Sequence, residues 1–96
     1  MKILDARITW NTEADGGLEE PFSGIQPSFL VAGELIMSRV ESRDGIATMK
    51  RGSTYEVVIT LPYGEKYATH LHSGMPVRLQ VGNRTIGTGT VDRVRS

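Results

Sequence analysis

The chain has no cysteine among its 96 residues. Disulfides and thiolate-ligated metals are therefore excluded, and a reducing, cytoplasmic setting is expected. It also lacks an excess of either charge, with eleven basic and eleven acidic side chains. A balance of that kind argues against bulk electrostatic capture of nucleic acid or of an anionic membrane, so any such binding must come from a local patch. No apolar run approaches the length of a membrane span, and Met1-Lys2-Ile3-Leu4 is followed at once by Asp5 and Arg7, which breaks any leader-like stretch. No window carries a helical apolar stripe, and there is no internal repeat, linker or low-complexity tract. The length suits one domain, residues 1–96, with a single hydrophobic core.

What is abundant is strand alternation punctuated by turns. Leu4, Ala6, Ile8 and Trp10 alternate with Asp5, Arg7 and Thr9, the pattern of a strand with one buried face. Residues 11–27 then turn polar and acidic around Gly16-Gly17, and Pro21, Gly24 and Pro27 keep the path irregular as far as Ser28. Residues 28–32 and 35–40 read as short strands separated by Gly33-Glu34, with turns at Asp44-Gly45 and Arg51-Gly52. Residues 54–61 form the clearest central strand, stopped by Pro62, which has no N–H to give to a ladder. Residues 63–73 show no sustained period and read as a connection with a short strand around 68–71. The hairpin at residues 74–91 is the plainest element: Val77, Leu79 and Val81 alternate with Arg78 and Gln80, Gly82-Asn83 interrupts, and Ile86 and Val91 resume the apolar pattern. Turn signals about every ten residues without helices point to an antiparallel sandwich or barrel.

Three blocks carry a family resemblance. The loop Gly16-Gly17-Leu18-Glu19-Glu20-Pro21-Phe22-Ser23-Gly24-Ile25-Gln26-Pro27-Ser28-Phe29, the strand from Arg51-Gly52 to Leu61-Pro62, and the closing hairpin with Gly82-Asn83-Arg84-Thr85-Ile86-Gly87 occur in the order found in the C-terminal, third domain of translation elongation factor Tu. The resemblance spans nearly the whole chain. It implies an all-β, antiparallel Greek-key β-barrel of about six strands, standing free of the rest of the factor. No G-x-x-x-x-G-K-[ST] phosphate loop is present, so GTP hydrolysis is not implied. In the family a charged pair, arginine then glutamate, precedes the turn glycine and meets the T-stem of transfer RNA; here those positions are Gln80 and Val81. The frame matches and the recognition edge differs, which implies a changed partner.

The residues themselves offer two binding surfaces. Glycines and prolines can hold the 11–27 loop in one shape. In the family this end of the barrel docks against another domain, so the resemblance implies a protein-binding or adaptor role through Gly17, Glu19, Glu20, Pro21, Phe22 and Gln26. The alternative is an RNA-binding module using Arg78, Arg84, Arg93 and Arg95. With Asp92, these give the last twenty-one residues a formal charge of about +3, against about −4 for Glu13, Asp15, Glu19 and Glu20 in the loop. Solvated strand faces, or arginines facing acidic groups of the chain itself, would account for the same charges, and aromatics for base stacking are lacking there. Self-association is a third possibility.

Catalytic chemistry is not expected. Ser73 beside His72 lacks an orienting acid, and no paired carboxylates stand out. His70 and His72 would project to one side of an extended segment, but with Glu65 as the nearby carboxylate they make a poor metal site, and no metal or cofactor is expected. Trp10, Phe22 and Phe29 are read as core. Gly87 and Gly89, alternating on the last strand, allow a sharp bend or a close backbone approach, and in a small barrel the bend is the favoured reading.

Overall fold

A computed structural model of the chain describes residues 1–12 and 20–95. Its described strands are β1 (Lys2–Trp10), β2 (Ser28–Val31), β3 (Glu34–Met37), β4 (Arg39–Ser42), β5 (Thr54–Leu61), β6 (Pro76–Val81) and β7 (Arg84–Val94). They form one antiparallel sheet in the order β3-β2-β6-β7-β1-β5-β4. Sequence neighbours are often not sheet neighbours: β2 lies against β6, and β1 lies between β5 and β7. This is the crossover pattern of a Greek key.

The sheet curls into a barrel because its two outermost strands are one continuous piece of chain. β3 and β4 are separated only by Ser38, which is fully buried. The β2–β3 ladder pairs Ser28 with Met37, and three residues further along the same register Ile25 bridges Val40. Ser38 holds the corner between them: its N–H and its hydroxyl both donate to the Pro27 carbonyl, at 3.2 and 2.6 Å. Counting β3 and β4 as one bent strand gives six around the barrel. The expectation of about six strands and the observed seven differ only by that corner.

The alternation in β1 buries Leu4, Ala6, Ile8 and Trp10, and β5 answers with Val57, Ile59 and Leu61. Full burial of each of the leucine, isoleucine and valine side chains contributes about 1.5–3 kcal/mol. Phe29, Val40, Leu79 and Met49 complete the same core. The Trp10 indole N–H donates to the Met49 thioether at 3.2 Å, so the single tryptophan is buried with its polar atom satisfied.

Turn chemistry sets the hairpins. Ala32 and Gly33 both have positive φ, the geometry of a two-residue type I′ turn between β2 and β3. Residues 63–73 depart from the expected strand at 68–71. Gly64–His70 is a 3-10 helix instead, which buries Tyr67 while leaving its polar neighbours in solvent. Its mixture of polar and small residues gave neither period.

β7 carries two register slips. The β7 partners skip Ile86, between Thr85 and Gly87, and skip Asp92, between Val91 and Arg93. Such bulges raise local twist and bend the strand. Gly87 and Gly89 serve close approach. A Cβ on Gly89 would lie 1.8 Å from the Arg7 carbonyl oxygen, and one on Gly87 would lie 3.1 Å from the Trp10 ring and from Ile8.

Candidate binding surfaces

Of the six loop candidates, Gly17 and Glu19 lie outside the described residues, while Glu20, Pro21, Phe22 and Gln26 lie on a segment stitched to its neighbours. The Met49 N–H donates to the Pro21 carbonyl at 2.7 Å, the Ser23 N–H to Ala47 at 2.8 Å and the Gly24 N–H to Val40 at 2.7 Å. Phe22 forms a bridge with Thr48. Pro21 and Pro27 are buried, which fixes the two ends of the segment. The aromatic ring between them is not part of the core. Phe22 is 55 % exposed, and Glu20 and Gln26 are exposed beside it in sequence. The expectation of a buried Phe22 fails because the segment turns at Ser23-Gly24, with Gly24 at φ +98°, so Ile25 takes the inward position. Exposed Ile46 precedes Ala47, whose carbonyl accepts the Ser23 N–H, so a second apolar side chain lies on the strip of chain that holds Phe22 in place.

The four arginines are not one strip. Arg84 opens β7 and Arg93 lies near its other end. At about 3.3 Å per residue they are separated by roughly 30 Å. Arg93 and Arg95 converge on Asp5, whose side chain is almost completely buried. The Arg95 Nη2 donates to Asp5 Oδ1 at 2.6 Å and its Nε to Oδ2 at 2.9 Å, a two-pronged grip, and the Arg93 Nε adds a contact at 3.3 Å. The Arg95 hydrogen bonds, and after them the positive charge of Arg95, Arg43 and Arg93, hold the Asp5 carboxyl below its ordinary range against the opposing effect of burial. Asp5 was missed in the sequence because its position in the alternation is that of an outward polar residue. The signal that could have found it is the run of arginines at the end of a strand paired with β1.

Arg78 lies on β6 and is exposed, with no ion pair among the described residues. It lies within β6, opposite Thr88 of β7.

His70 closes the 3-10 helix and His72 follows it, so the pair does not share an extended strand. The His72 ring Nδ1 faces the Ser73 carbonyl at 3.1 Å, and the Ser73 hydroxyl donates to the Asp92 carbonyl at 2.7 Å. Ser73 is therefore not aimed at His72. Glu65 accepts a hydrogen bond from the N-terminal amine, which lowers its pKa. Among the described residues no group of three or more metal-ligating side chains comes together. No described helix is long and apolar enough to cross a membrane.

Comparison with protein-family models and with curated proteins finds no match. The functional reading rests on these surfaces.

Proposed function

We propose that the chain is a non-catalytic binding module, similar to the C-terminal barrel of elongation factor Tu, that docks a protein partner through the 11–27 loop. The observation that carries this reading is Phe22: a large aromatic side chain exposed on a backbone that hydrogen bonds hold in place. An aromatic side chain presented on an ordered backbone loses little conformational freedom on binding, which is why rings of this kind dominate interface energetics. Glu20 and Gln26 supply a polar rim. A non-catalytic role is supported by the engagement of Ser73 and His72 with backbone carbonyls rather than with each other.

The RNA alternative has less to stand on. Arg93 and Arg95 already neutralise Asp5, and Arg84 lies far from them along β7. The deciding experiment is affinity capture from native lysate with and without ribonuclease, using the wild type and Phe22→Ala. A catch that survives ribonuclease and disappears with Phe22→Ala supports the proposal. A catch that needs RNA and ignores Phe22 overturns it.

A further inference from the structure

β2 and β6 pair over only two positions, Ser28 with Gln80 and Phe29 with Leu79, although β2 continues to Val31 and β6 begins at Pro76. In the same register Leu30 would face Arg78 and Val31 would face Val77. The strands part instead, and between them lies an open groove of about 680 Å³. Its volume falls within the range of ligand sites, roughly 300–1,000 Å³.

The walls of this groove are unpaired strand edges. Antiparallel strands turn their N–H and C=O groups to alternate sides at successive residues. Val40 donates to Ile25 and Ser38 to Pro27, so the odd-numbered residues of the β2 strand face β3 and β4. Ser28 and Leu30 therefore face β6. On the other side Val91 donates to Met75, so Met75, Val77 and Leu79 face β7, while Arg78 and Gln80 face β2. Ser28 and Gln80 meet, but Leu30 and Arg78 aim their backbone groups into the groove with no ladder between them.

The side chains define what could fill it. Arg78 and His70 line the groove, and among the described residues no acidic side chain does. Among the described residues no Phe, Tyr or Trp lines it, and the His70 imidazole is the one aromatic ring at its wall. Val31, Val77 and Met75 supply an apolar row on the inward side. An extended peptide fits this arrangement, since main-chain bonds to an open edge supply affinity and alternate side chains supply specificity. A residue paired with Arg78 would place its side chain about 5 Å away on the same outward face.

We propose that the groove between β2 and β6 binds an extended peptide segment of alternating acidic and apolar residues, which adds a strand at Arg78 and sets a carboxylate beside its guanidinium. The surface is separate from the Phe22 segment, and the two fail independently.

The test uses the intact chain, labelled with nitrogen-15, and an end-blocked octapeptide of alternating glutamate and valine. Saturable binding should shift the amide signals of Leu30 and Arg78. Replacing the peptide's glutamates by glutamines, or making Arg78→Gln, should weaken binding by about tenfold or more, whereas Arg84→Gln should leave it unchanged. Methylating alternate peptide nitrogens should abolish binding in one register and spare it in the other, a readout that alters no residue of the protein. Absence of shifts at Leu30 and Arg78, indifference to nitrogen methylation in both registers, or equal occupancy of the groove by a single-stranded oligonucleotide would each overturn the proposal.

Discussion

Arg95 grips the carboxylate of Asp5 through two nitrogens, joining the end of the last strand to the middle of the first across 90 positions of sequence. Because Asp5 is 2 % exposed, removing the guanidinium leaves a buried charge with Arg93 as its remaining ion-pair partner among the described residues and the charge of Arg43 nearby. Arg95→Ala should therefore lower the urea midpoint more than Arg93→Ala, whose side chain lies mostly in solvent. Asp5→Asn should cost about 1.5–3 kcal/mol at neutral pH, the usual worth of hydrogen bonds to a charged group. A midpoint ordering of Arg93→Ala below Arg95→Ala would contradict the geometry.

The same contact sets an acid dependence. The folded-state pKa of Asp5 is lowered, so the stability it supplies is complete above its unfolded value, near 4, and is lost as pH falls through the lower folded value. The difference in stability between wild type and Asp5→Asn isolates this contribution. It should be largest at pH 6–7 and shrink steadily below about pH 4 in urea titrations.

Gly89 and Gly82 should separate cleanly. A Cβ at Gly89 collides with the Arg7 backbone, which can move only by parting β7 from β1, whereas one at Gly82 meets nothing within 4 Å. Gly89→Ala should cost about 2–4 kcal/mol or prevent folding. Gly82→Ala should cost less, about 1 kcal/mol, from its φ of +60° alone. Thermal melts of the two variants check the order.

Trp10 and Met49 share a buried N–H to sulfur contact. Trp10→Phe removes the donor and leaves a void against Gly87, so a loss of about 2–3 kcal/mol is expected, with most of it due to volume. Met49→Leu keeps the volume but strands the indole N–H, and about 1–2 kcal/mol should follow. A double-mutant cycle measures the coupling, which should be non-zero because the residues touch.

At the proposed docking segment, exposure distinguishes two neighbours. Phe22→Ala should leave the melting temperature within a degree or two, since the ring is mostly in solvent, while abolishing ribonuclease-resistant capture. Pro21→Ala should lower stability as well as capture, because the substitution removes a buried ring and the fixed φ that restricts the start of the segment. Equal effects of the two substitutions on melting would show that Phe22 acts through the fold.

The sequence by itself determined the strands whose burial is periodic. Leu4 to Trp10, the 54–61 strand with its stop at Pro62, and the hairpin about Gly82 were legible because alternate burial and turn residues leave a local record. Local record ends where a residue's environment comes from a distant strand. Asp5 has the spacing of an outward polar group and becomes buried only when Arg93 and Arg95 arrive beside it. Phe22 has the composition of a core residue and is turned outward by Gly24 and the β4 edge. Gly89 is required by a carbonyl on β1 that no window around Gly89 contains. The open groove is further still from the sequence, since it exists only because β2 and β6 stop pairing after Phe29 and Leu79. Periodicity chose the elements, and the long-range pairing of those elements decided which polar groups were buried, which ring was displayed and which strand edges stayed open.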